Sequence, residues 1–229
     1  WRSKLLLEPE AYKRMEPIMN TIYKVSNDPI VFSTILDLSL VNFSNPKTRQ
    51  VFVAFSLSAA KFAYENKIEF QDISNFILAL SEVIVCNESE TRYESFEIIY
   101  YLLNTEIPEN LRNEVTGNLS PSKLKENAID VFTILIVKAT TEQLVTFLQA
   151  IVSLKSVEYH HSLILRCILE NRKDYMDNES AIQSITSLIE NVKNMSQISL
   201  IEMEAGLMKL ASNSMEKFVP LFFTVSIKN

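Results

Sequence analysis

A chain of 229 residues with 47% hydrophobic and 22% charged residues has the make-up of a folded globular protein and can bury a large core. Its net charge of −6 runs against the cationic surface that gathers the phosphates of nucleic acid or of an anionic membrane, so both are disfavoured as partners. Two glycines, Gly117 and Gly206, leave little material for the loops that cradle nucleotides or hold catalytic groups.

The opening Trp1-Arg2-Ser3-Lys4-Leu5-Leu6-Leu7 turns polar too quickly for a signal peptide, and no apolar stretch approaches the ~20 residues of a membrane span. The absence of an initiator Met suggests a piece of a longer chain. With no linker rich in Gly, Ser or Pro, residues 1–229 are expected to form one all-helical domain.

Helical periodicity recurs from end to end. It predicts helices near 9–25, 29–43, 47–65, 70–86, 90–104, 108–116, 122–138, 141–155, 157–173, 178–193 and 197–211, with 214–226 as either a helix or an extended tail. Pro9, Pro29, Pro46 and Pro121 follow turn-forming or capping residues and mark helix starts, because a first-turn N–H has no partner to lose. Pro17 lies inside the first periodic run and is expected to kink it. Phe70, Ile73, Phe76, Ile77, Leu80 and Ile84 form one apolar stripe; Ile182, Ile185, Leu188, Ile189 and Val192 form another. The runs 131–137, 144–154 and 163–169 are apolar on nearly all sides and need cover on more than one. Thr140-x-x-Gln143 reads as a capping box, and Ser89, Asp177, Ser196 and Ser214 stand where further helices begin.

Short connections predict antiparallel neighbours and a repeat near ~40 residues, the period of HEAT and armadillo units. The fold expected is therefore all-α, helical hairpins stacked as a short HEAT/armadillo-like α-solenoid, with a closed orthogonal helical bundle as the alternative. No residue signature recurs between units.

Chemistry is poorly represented. Cys86 and Cys167 have no spacing motif and read as buried hydrophobes of a reducing compartment, placing the protein inside the cell, in cytoplasm or nucleus. Asn-x-Ser/Thr triplets at Asn42, Asn87, Asn118, Asn178 and Asn194 are what an Asn- and Ser-rich chain produces by chance. Glu158-x-x-His161 has the spacing of di-iron bundle ligands but no second copy, so it reads as a helix cap, and neither metal nor cofactor is expected. His160 and His161 lie two turns from Cys167 along one helix, too far for a thiol–imidazole pair. No small-molecule substrate and no enzymatic activity follow.

Arg166 interrupts an apolar run and must reach solvent, a buried carboxylate, or a groove where a partner supplies one. Glu82, Glu88, Glu90, Glu94 and Glu97, opposed mainly by Arg92, read as an acidic rim that could attract a basic segment. The expected function is a non-catalytic protein–protein interaction scaffold that holds a basic or amphipathic helical segment in a groove of helical repeats. Asn75, Glu82, Gln149, Arg166 and Gln183 are its candidate binding residues. Two alternatives are a regulator of a small GTPase, acting through an inserted arginine such as Arg166, and an RNA-binding helical-repeat module.

Overall fold

The computed structural model describes residues 42–68 and 73–216, with positions 17, 21, 36, 37, 39, 40 and 219 beside them. Among the described residues the chain is helical and contains no strand. The helices are α1 Arg49–Glu65, α2 Ser74–Ile84, α3 Ser89–Leu102, α4 Leu111–Val115, α5 Pro121–Lys138, α6 Thr141–Ser153, α7 Tyr159–Asn171, α8 Glu179–Glu190 and α9 Gln197–Asn213. None of them is long and apolar enough to cross a membrane. Of the helices expected near 9–25 and 29–43 and of the tail beyond 216 only isolated positions and residues 42–43 are described, so these expectations, the kink at Pro17 and the stripe position 70 lie outside what the described residues show.

Local chemistry explains most of the starts. Thr140 caps α6, its hydroxyl accepting from the Gln143 N–H at 3.2 Å while the Gln143 side chain accepts from the Thr140 N–H at 2.9 Å. Ser196 caps α9 through the Ser199 N–H, and Pro121 opens α5 as expected. Two starts differ. Asn178, not Asp177, caps α8, accepting from the Ser180 and Ala181 N–H groups, while Asp177 ends a 3-10 turn at Asp174–Asp177. Pro46 lies in the turn ahead of α1, where the Asn45 side chain accepts from the Lys47 N–H and the Asn45 carbonyl accepts from the Arg49 N–H.

The chain divides into two compact units, Trp1–Asn127 and Ala128–Asn229, and the division falls inside α5. A boundary carried by a helix needs no flexible linker, which is why composition gives no sign of it. In the first unit α3 is the central element, packed by α1, α2 and α4. Phe96, Ile98 and Ile99 of α3 and Phe76, Ile77, Leu80 and Ile84 of α2 are buried. In the second unit α7 is buried over Leu163, Ile164, Leu165, Cys167, Ile168 and Leu169, as a helix apolar on most sides requires. Val137 and Val152, at the ends of the other apolar runs, are instead exposed.

Helices two apart in sequence stack on one another: α1 with α3, α6 with α8, and α7 with α9. A parallel bridge between Val157 and Met195 joins the two segments that lead into α7 and α9. Both glycines have a physical reason. Gly117 has φ of +90°, a conformation that side chains resist. Gly206 brings α9 against α7: a β-carbon there would lie 3.0 and 3.1 Å from Leu169 side-chain atoms and 3.2 Å from the Arg166 Cα. Gly206→Ala is expected to force the helices apart and lower stability by ~1–3 kcal/mol despite alanine's better helix propensity. Urea unfolding of the two proteins measures it, and an alanine variant as stable as the parent contradicts the close approach.

Candidate functional site

The residues with chemical potential are mostly consumed by the fold. Cys167 is fully buried within 3.8 Å of the Thr133 hydroxyl, and burial pushes its thiol up to about 12. Cys86 is buried and raised for the same reason. His160 is pushed down to about 4 by burial, so it stays neutral at physiological pH. Nδ1 of His161 accepts from the Glu158 N–H at 3.2 Å, so the Glu158-x-x-His161 pattern closes the N-terminal turn of α7. No group of three or more metal-binding side chains is found among the described residues.

Arginines tie distant parts of each unit together. Arg166 meets a buried carboxylate: its Nη1 donates to Glu202 of α9 at 2.8 Å, where Glu202 is only 3% exposed, and its Nε donates to Glu170 at 2.6 Å. Two acids on one guanidinium in a half-buried place make a structural ion-pair triad. Arg172 forms a fork with Asp174 at 2.6 and 2.8 Å and donates to the carbonyls of Ile136 and Ala139 at the end of α5. That fork and the Thr141 hydroxyl hold the Asp174 carboxyl well below its usual range.

Arg92 overturns the sequence reading. It does not oppose the acidic tract but is 1% exposed, and its guanidinium donates to three backbone carbonyls: Cys86 at 2.5 Å, Val115 at 2.7 Å and Gly117 at 3.0 Å. Two of these carbonyls lie just past or at the C-terminal ends of α2 and α4, where the helix dipole favours a cation. Three of the acids are answered by other residues. Arg112 donates to Glu90 at 2.5 Å and lies 4.6 Å from the centre of the Tyr93 ring, while Arg49 donates to Glu82 at 2.9 Å and reaches Glu88 at 3.5 Å.

Glu82 is therefore not a free rim acid. It also accepts from the Ser44 hydroxyl at 2.7 Å, so its charge reversal would leave Arg49, itself buried, without its closer carboxylate. Of the other candidates, Asn75 on α2 is exposed, as are Gln149 on α6 and Gln183 on α8. Asn75 and Glu82 belong to the first unit; Gln149, Arg166 and Gln183 belong to the second. Within the second unit, stacking of α6 on α8 puts the helices bearing Gln149 and Gln183 together.

Sequence reasoning did not single out Glu94. Its Oε2 is buried with no hydrogen-bond partner among the described residues, and desolvation, with Glu97 and Glu90 nearby, raises its carboxyl to about 7. The signal available was the Glu90, Glu94, Glu97 spacing, which puts three acids on one face of α3. Comparison with known proteins finds no family model, no curated protein and no solved structure that matches the chain.

Proposed function

We propose that the chain is a non-catalytic interaction scaffold built from α-solenoid repeats, holding an amphipathic segment of another protein on helix faces that the stack leaves uncovered. The observation that carries this reading is a regular offset in the second unit. The caps of α6 and α8, Thr140 and Asn178, are 38 residues apart, and so are the caps of α7 and α9, Glu158 and Ser196. Each pair so related is also a stacked pair, and the Val157–Met195 bridge repeats with the same offset. Units that stack on their neighbours at a fixed period are the physical basis of solenoid binding surfaces.

Arg166 is held by Glu170 and Glu202, so the reading as a regulator of a small GTPase, which needs an arginine free to enter another protein's site, draws no support from it. The RNA-binding alternative is likewise unaided by the net charge of −6.

The test is affinity capture of the partner from cell extract, followed by calorimetric titration against the full chain and its Gln149→Ala/Gln183→Ala double variant. Loss of two exposed polar contacts is expected to weaken binding about fivefold or more at an unchanged melting temperature. Equal affinity of the two proteins for the captured partner would place the binding surface away from α6 and α8.

A further inference from the structure

α9 has two apolar faces, and only one is used within the second unit. The packed face carries Ser199, Met203, Gly206 and Leu210, set against α7. On the other side Ile198, Ile201 and Met208 are 58%, 53% and 67% exposed, and Met215 just beyond the helix end is 60% exposed. Ile198, Ile201, Ala205 and Met208 advance along the helix in steps of three and four. At 100° per residue they fall within an arc of roughly 80° that points away from the packed face. An exposed stripe of this kind on a helix already satisfied behind it marks a contact surface.

We infer that this stripe is a self-association seam: two copies of the chain pair through α9, side by side and parallel. Ile198 and Ala205 stand at a positions of a heptad pattern and Ile201 and Met208 at d positions; Ser212 takes the next a position, and the helix ends before Met215. The flanks choose the partner and its direction. Glu204 falls at g and Lys209 at the following e, both exposed and neither in an ion pair among the described residues. In a parallel pair of identical helices, g of one faces the next e of the other, so Glu204 meets the second copy's lysine and the same bond forms twice by symmetry. An antiparallel pair sets g against g and would bring the two glutamates together. The seam is short, roughly 800–1,000 Å² in total, below the standard size of a permanent interface, so a dissociation constant of ~10–100 µM is expected.

Sedimentation velocity of the full chain over a concentration series crossing that range tests the inference. The wild type is expected to pass from monomer to dimer. Ile201→Glu, at an exposed site with no folding role, should raise the dissociation constant at least tenfold at an unchanged melting temperature. Glu204→Lys and Lys209→Glu should each weaken the dimer about fivefold, and the double swap should restore it. A chain that stays monomeric throughout, as it would if another protein or another segment covers α9, overturns the proposal. A dimer indifferent to Ile201→Glu, or single charge reversals that strengthen it, also overturns it.

Discussion

Arg92→Ala is expected to cost ~3–5 kcal/mol of stability, the largest single-residue loss outside the apolar core. The guanidinium is 1% exposed and supplies donors to the carbonyls of Cys86, Val115 and Gly117, contributed by two separate segments of the first unit, the α2–α3 connection and the end of α4 with the residues just past it. Removing it leaves three acceptors in a dry place and a void the size of a long side chain, and each effect alone costs one to several kcal/mol. Burial pulls the Arg92 pKa below its ordinary value, which measures how far the site is from water, yet a guanidinium so basic remains charged at any physiological pH. Lysine keeps the charge but, with one compact ammonium, cannot span carbonyls that a planar fork reaches from Nε, Nη1 and Nη2. Arg92→Lys should therefore recover less than half of the loss. Urea denaturation of the three proteins provides the comparison; a loss below ~1 kcal/mol in the alanine variant would mean the carbonyls find water or other donors.

The same residue shows where sequence reading runs out. Periodicity located every described helix to within a few residues, because a helix that buries one stripe must repeat at 3.6 residues whatever it packs against. Thr140 and Ser196 were legible as caps because the partners of a cap are two or three residues away. Arg92 reaches acceptors as far as 25 residues off, and a backbone carbonyl carries no sequence signature, so nothing near it distinguishes a buried clamp from an exposed cation. Arg166 was conspicuous for interrupting an apolar run, but its decisive partner, Glu202, is 36 residues away on a helix whose sequence is apolar on two faces. That ambiguity also hid the exposed stripe of α9, since periodicity shows that a face is apolar and only packing shows which of two is covered.

Glu94→Gln is expected to stabilise the protein at pH 8 by about 2 kcal/mol relative to its effect at pH 4. Glu94 sits on α3 with one carboxylate oxygen buried and unpartnered among the described residues, and the acids flanking it, Glu90 and Glu97, are on its own helix. The elements packed on α3 offer little relief. Arg112 of α4 is drawn to Glu90 and the Tyr93 ring, and Lys61 of α1 acts on Glu97, beside which Glu65 and Tyr64 of α1 act on Tyr101. The carboxyl is thus raised from 4.5 to about 7, and it binds its proton more tightly folded than unfolded. Its contribution to stability is present in full below about pH 4.5 and is lost as pH rises to about 7, after which the ionised group is a constant burden. Glutamine carries no such charge, so the stability difference between variant and parent should grow across that window and be flat above it. The full linkage would exceed ~3 kcal/mol, and partial exposure of the side chain reduces it to the smaller figure. Denaturant unfolding from pH 4 to 8, with the exposed Glu109→Gln as control, makes the measurement. A Glu94→Gln difference as flat as that of the control would show that the ionised carboxylate is already solvated or paired, and that α3 tolerates three adjacent negative charges without storing the strain inferred from its geometry.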